Sequence, residues 1–339
     1  MKKSLAALLV GVFLLLSLCL VLYFNVASPR VLVIHTYDED FGWTQALDRS
    51  YRKELKAYPR SVLTRWHYMR LGGAPSEQHM ETAAASAQRA VEAFEPDVLV
   101  VFDDIAAKLV TPALLNRPGL RIVFAGINAE PVAYGFDTAS NTTGVLERIP
   151  VEALREALTQ LGHGKPLTMA CLGDTRAQAL LEVPQLAAHD WAPHTLLPCE
   201  QVDNYPAWQD RVAALGQKAD VLFITGYQGL HRVAGGSKSV PPAEVMAWTE
   251  AHSKALPLAS KNGFVPDGGS LAIASSAHEQ GQTAGRLTAA LLQGRSPSEL
   301  PVVLGQAFVV AMQTERLARR GYRLPAVYEA AARAAGTLN

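Results

Sequence analysis

Two adjacent carboxylates, Asp103-Asp104, directly follow the apolar run Val98 to Phe102. An acidic stretch, His35-Thr36-Tyr37-Asp38-Glu39-Asp40-Phe41-Gly42-Trp43, follows the apolar run Val31 to Ile34 and carries three aromatic rings. Gly126-Ile127-Asn128 closes a third such run. In the second half of the chain the same position after an apolar run is taken by Gly173-Asp174-Thr175 and by Thr225-Gly226-Tyr227-Gln228. Aromatic walls with a few carboxylates and amides suit a small polar organic molecule. Asp103 or Asp104 would pair with a ligand amine, and free amides at helix N-termini would hold its carboxylate. The candidate contacts are Tyr37, Trp43, Asp103, Asp104 and Asn128 from the first half, and Asp174, Thr225 and Tyr227 from the second. Several have a plainer reading: the aspartates, above all Asp104 and Asp174, as helix N-caps, Tyr37 and Trp43, with Phe41, as packing over the first helix, and Asn128 as a residue that orders its own turn.

These residues share a place because of the elements that precede them. Short continuous β-branched runs read as strands buried on both faces of a parallel sheet. They recur at 31–34, 61–68, 97–102 and 121–127, then at 167–172, 195–200, 220–225, 256–260 and 270–274, with helical sequence between. Strict β/α alternation predicts parallel sheets covered by helices, and two series predict two doubly wound lobes. In such sheets ligands sit beyond the carboxyl ends of the strands, where all the candidates fall. No G-x-S-x-G elbow, Walker loop or H-E-x-x-H occurs, so an enzyme is not the expected class. His189 and His194 lack metal-ligand spacing and are expected on the surface. Gly162-His163-Gly164 reads as a loop, Gly235 to Ser239 as a flexible one, and Asn141-Thr142-Thr143 matches a glycosylation sequon.

The 31 basic and 31 acidic residues cancel, which excludes a nucleic-acid partner of the usual basic kind. Lys2 and Lys3 precede an uncharged stretch from Ser4 to Asn25 that is long enough to span a bilayer. Residues 1–28 are therefore a signal peptide or a membrane anchor, and the rest is placed outside the cytoplasm. Leu18-Cys19 is a poor lipoprotein box. Cys171 and Cys199 are the only cysteines of the exported part, where disulfides persist. They fall in consecutive strands joined by one helix, which are usually adjacent and parallel, so a disulfide is expected if both point to one face.

With these segments in hand the chain resembles the substrate-binding proteins of ABC transporters, in the type I periplasmic group that includes tryptophan/tyrosine-type binders. The resemblance rests on His35 to Trp43, Pro96 to Ala106, Ile122 to Asn128, Ser140 to Pro150, Glu279-Gln280-Gly281 and Gly294 to Val302. It implies two Rossmann-like lobes joined by three hinge crossings, near 144–150, 256–263 and 294–301. Lobe one would take 29–146 and 259–293; lobe two would take 147–258 and 294–339. It also implies a small-molecule ligand such as an amino acid, no cofactor or metal, a periplasmic location and an ABC permease as partner. The alternative is a membrane-anchored receptor working with a separate sensor kinase or similar partner. Ile105 stands where many relatives carry Asn.

Overall fold

The computed structural model describes residues 9–17, 28–73 and 75–338. Residues 9–17 are helical, and the remainder of the apolar N-terminal segment lies outside the described residues. Among the described residues no helix is long and apolar enough to cross a membrane.

The chain forms two six-stranded sheets. The first half runs β1 (Arg30–His35), α1 (Gly42–Lys56), β2 (Leu63–Tyr68), α2 (Glu77–Phe94), β3 (Val98–Phe102), α3 (Asp104–Val110), β4 (Arg121–Ile127) and β5 (Thr142–Leu146). The second runs α4 (Val151–Leu161), β6 (Thr168–Asp174), α5 (Ala177–Ala187), β7 (Thr195–Val202), α6 (Tyr205–Leu215), β8 (Val221–Ile224), α7 (Pro242–His252), β9 (Leu256–Ala259) and β10 (Leu271–Ser275). The chain ends with α8 (Ala277–Leu292), β11 (Val303–Leu304), β12 (Phe308–Met312), α9 (Thr314–Arg319) and α10 (Ala326–Ala335). Sheet one has the order β11-β5-β4-β3-β1-β2 and sheet two β12-β10-β9-β8-β6-β7. All pairings are parallel except that of β10 with β12. The buried central strands, such as β3 and β8, are the continuous apolar runs, whereas the edge strands β2 and β7 are partly exposed and carry polar residues. Among the caps, Ser76 accepts from the His79 amide as its sequence position predicts.

The strand order reverses beside β1 in one lobe and beside β6 in the other. At such a switch point the loops leave in opposite directions and open a crevice. The loops after β1 and β3, and those after β6 and β8, therefore face the same kind of opening from the two lobes.

The lobe boundaries differ from those expected. Strand β10, expected in lobe one, pairs with β9 and β12 in sheet two. The second crossing lies at Ser275–Ala277, after which α8 packs on lobe one. There Ala277, Ala284 and Leu291 join a core with Val31, Val33, Leu47 and Tyr51, and the Tyr51 hydroxyl donates to Thr288 Oγ1 at 3.2 Å. The third crossing lies between β11, which pairs with β5, and β12. The run Leu256–Ala259 is a complete strand of sheet two, and an apolar strand with neighbours on both sides cannot also be a hinge.

Cys171 and Cys199 form a disulfide across adjacent parallel strands, with their Cα atoms 4.4 Å apart. The two are in register only because β7 carries one extra residue between Leu196 and Cys199. Pro198, which has no N–H to give to a ladder, lies in this bulge on an edge strand. Closing this loop restricts the unfolded chain, so the Cys171→Ser/Cys199→Ser double variant should lose about 3–4 kcal/mol in denaturant unfolding. Thiol titration of the unreduced, denatured wild-type chain should detect neither residue; two reactive thiols from this pair would refute the bond.

Candidate functional site

The cleft is built from strand ends. In lobe one β3 stops at Phe102 and Asp103 takes φ 73°, a conformation that Asp tolerates better than most side chains. This turn starts α3 and buries the Asp103 carboxyl. Its Oδ1 accepts from Trp43 Nε1 at 2.9 Å, while Oδ2 is buried with no hydrogen-bond partner. Gly126, at the end of β4, lies beside this pair with φ 68°. A Cβ there would sit 3.2 Å from Asp103 Oδ1 and 3.6 Å from Trp43 Cζ2, so both the conformation and the close approach call for glycine. Burial pushes the Asp103 carboxyl well above the usual carboxylate range; the Glu147 and Asp104 charges add to this, and the Trp43 bond opposes it.

Tyr37 is half-buried, meets Phe41 edge-on at 5.2 Å, and reaches across to lobe two. Its hydroxyl donates to Gln178 Oε1 on α5 at 3.0 Å. Burial pushes its pKa above the ordinary phenol value, the Asp103 charge adds to this, and Arg176 opposes it. Arg176 makes the second bridge, donating from Nη1 to the Gly73 carbonyl at 3.3 Å. Tyr37 and Arg176 thus each supply a hydrogen bond across the cleft.

Asp104 and Asn128 are both held within the structure. Asp104 accepts from the Asn128 amide at 2.9 Å, the Ala129 amide at 3.0 Å and the Tyr134 hydroxyl at 2.8 Å. Asn128 Nδ2 donates to Glu147 Oε2 at 3.0 Å. Asp104 is thus not an N-cap; it ties the loop after β4 to α3.

In lobe two Asp174 is fully buried. Its Oδ2 accepts from Arg176 Nε at 3.0 Å and from the Gly229 amide at 2.7 Å, and its Oδ1 accepts from the Arg176 amide at 3.1 Å. Asp174 therefore fastens the loops after β6 and β8 together instead of capping α5, whose N-cap is Arg176. Thr225 and Tyr227 are both fully buried. Tyr227 packs on Phe264 and donates to Asp267 Oδ2 at 2.6 Å, inside lobe two. Tyr37, Trp43 and Asp103 thus converge; in the facing lobe Asp174 holds Arg176, while Thr225 and Tyr227 are buried after β8.

Sequence reasoning missed Glu147, Ser275, Arg176 and Gln178. Glu147 follows β5 directly at the first crossing. Its Oε1 accepts from the Ser275 hydroxyl of lobe two and its Oε2 from Asn128 of lobe one. Burial pushes its carboxyl up to about 7, against the pull of the Ser275 bond, the Lys261 charge and the Asn128 bond. The available signal was a lone acid ending the buried run Thr142 to Leu146. Gln280, inside a quoted family segment, is fully buried and joins the Gly126 amide at 3.0 Å to the Leu146 carbonyl at 3.2 Å.

Other expectations resolve simply. His194 is buried, not on the surface: its ring bonds Thr159 Oγ1 at 3.0 Å and accepts from the Leu167 amide at 3.1 Å. His189 is half-buried against Trp191. The sequon Asn141 is buried, and its Nδ2 donates to the carbonyls of Leu114 and Leu120, so it is no acceptor for a glycan in the folded chain. Ile105 packs against the core of lobe one. A depression of about 340 Å³ on the outer flank of lobe one is lined by Arg52, Lys56, Arg60 and Trp66 and contains none of the cleft residues.

No family model and no curated protein matches this chain. Solved structures do. A conserved domain protein from Vibrio cholerae O1 biovar El Tor aligns over 90% of this chain and 98% of its own, at TM-score 0.67 and 17% identity. An ABC domain in complex with L-Trp from Streptococcus pneumoniae aligns over 89% and 98%, at TM-score 0.63 and 15% identity. The ligand-free, open form of a substrate-binding protein with adhesive properties from Clostridium difficile aligns over 88% and 96%, at TM-score 0.67 and 15% identity. The chain has the type I periplasmic binding protein fold. A periplasmic ribose ABC transporter from Conexibacter woesei and an ABC sugar transporter subunit from Rhodobacter sphaeroides align at lower scores. The strand-end loops of this fold supply Trp43 from one element and Asp103 from another, and a single hydrogen bond joins them.

Two measurements test this geometry. Trp43→Phe keeps an aromatic wall but leaves both Asp103 oxygens unbonded, so it should cost about 1–3 kcal/mol at neutral pH; a loss within error of zero would show that the contact contributes nothing. Glu147 is raised in the folded state above its ordinary 4.5. The folded chain then holds a proton that the unfolded chain releases between those values, so this group's contribution is full below about pH 4.5 and is lost as pH rises to about 7, by up to about 3 kcal/mol. Glu147→Gln should flatten the stability profile over that window in melting scans; an unchanged slope would place the titration elsewhere.

Proposed function

We propose that this chain captures a small polar solute outside the cytoplasm for an ABC-type importer, by closing its two lobes around it. The observation that carries this reading is the junction of the lobes at strand ends: Tyr37 and Gln178 meet across the cleft, and an aromatic wall with a buried carboxyl stands behind them. Ligand contacts made to both lobes would favour the closed state by their differential free energy. Tyr37, Trp43 and Asp103 are the lobe-one contacts. Arg176 and Gln178 face them from lobe two, with Asp174, Thr225 and Tyr227 supporting the loops that hold them. Solved proteins of this fold include solute-binding proteins of ABC transporters for sugars and for an amino acid, which supports a binding role and a permease partner. A membrane-anchored receptor would use the same closure, and the long apolar stretch from Ser4 to Asn25 favours that second reading.

The test is a melting screen of the chain against amino acids, amines, sugars, nucleosides and small acids. A compound at a hundredfold excess over its dissociation constant should add about 2.7 kcal/mol. Small-angle scattering with that compound should show contraction. A stabilising ligand that leaves the scattering profile of wild type and of Tyr37→Phe identical would rule out closure as the mechanism.

A further inference from the structure

The charges around the cleft do not balance locally, and the imbalance has one sign. Four cations approach this region, and each already has an acid of its own. Arg176 is paired with Asp174 at 3.0 Å, Lys261 with the buried Glu182, and Arg148 with Glu130 at 2.8 Å. Arg70, at the rim, lies 4.0 Å from Asp38 and 3.9 Å from Glu39. None is left over for the carboxylate of a bound solute. On the acidic side, Asp104 is satisfied by backbone amides and a tyrosine hydroxyl, and Glu147 by Ser275 and Asn128. Asp103 differs from both. It has no cation partner among the described residues, one oxygen takes a single indole N–H, and the other oxygen is buried with nothing bonded to it.

The surroundings of Asp103 favour a positive charge in two further ways. Trp43 is bonded to it, and Tyr37 lies close enough to feel its charge, with Phe41 edge-on to Tyr37. Aromatic faces attract cations through their quadrupoles. Glu147 and Asp104 add negative potential at the same place, which opposes ionisation of Asp103 until a cation arrives.

We propose that the cleft takes an organic amine in its protonated form, with the ammonium donating to Asp103 Oδ2 inside the wall of Tyr37 and Trp43, and that a ligand carboxylate is not required. This rests on the capture reading and narrows its solute from small polar molecules to cations. A carboxylate in the ligand would meet only paired cations and a net acidic field, so an amino acid is disfavoured relative to the amine of the same side chain.

Matched probes decide it: tyramine against tyrosine, agmatine against arginine, and cadaverine against lysine, titrated calorimetrically into the full chain. One amine should bind at least about tenfold more tightly than its amino acid, a difference that each 1.4 kcal/mol provides. Asp103→Asn keeps an oxygen for Trp43 Nε1 and suits the positive φ, so it should fold with a melting temperature near wild type and yet lose that amine by at least about thirtyfold. Titration of wild type in two buffers of different ionisation enthalpy should show proton release on amine binding, a readout that needs no variant. Tighter binding of the amino acids, an amine affinity unchanged in Asp103→Asn, or silence toward every amine would each overturn the proposal. Lobe closure driven by an amino acid or a sugar, seen by scattering, would overturn the cation preference while leaving solute capture standing; binding without any contraction would count against capture itself.

Discussion

The lobes of this protein meet at one carboxyl group, that of Glu147. Glu147 lies where the chain first leaves sheet one, and it accepts one hydrogen bond from each lobe, from Asn128 and from Ser275. Burying a carboxylate is costly unless its oxygens are bonded, so the bonds also restrict the geometry. The other two crossings close around the same point. The Gly305 amide donates to the Leu146 carbonyl at 2.9 Å, the Ser276 amide to the Ala307 carbonyl at 3.0 Å, and Glu279 Oε2 accepts from the amides of Gln306 and Ala307 at 2.8 Å. Three strands of chain that are far apart in sequence thereby share one small polar hub, and the cleft lies just beside it.

From this hub the two faces of the cleft take different characters. Lobe one presents an aromatic wall and an acid with a free oxygen. Lobe two presents a loop system pinned from within by Asp174, whose oxygens collect the Arg176 and Gly229 donors. Supports of this kind hold the half-buried Arg176 at a defined position, from which it and Gln178 reach lobe one. The buried pair Glu182–Lys261 and Ser260 does the same work at the end of β9.

Much of this was legible in the sequence. The apolar runs marked the buried strands because a strand covered on both faces has no reason to alternate. The positions of Tyr37, Trp43 and Asp103 followed from strand ends at a switch point. What failed did so for identifiable reasons. Asp104 and Asp103 look equivalent in sequence, yet one turn of backbone at φ 73° sends them to different partners. Tyr227 follows a strand end as a ligand residue would, yet its hydroxyl is bonded to Asp267 within lobe two. His194 looked like a surface residue because nothing local shows that Leu167 needs its ring nitrogen.

By itself, the sequence determined two α/β series, a polar ring of strand-end residues and the pairing candidates Cys171 and Cys199, because hydrophobic period and element order are local properties. Tertiary structure alone decided the rest. Counting from Thr168 opposite Thr195, Cys171 would face Pro198; the bulge in β7 shifts the register and brings Cys199 opposite instead. It also decided that β10 belongs to sheet two, which moved two hinge crossings downstream and brought Ser275 to Glu147. A register and a crossing are set by which distant strands pair, and that choice is made by burial and backbone hydrogen bonding across the whole fold, not by any residue's neighbours in the chain.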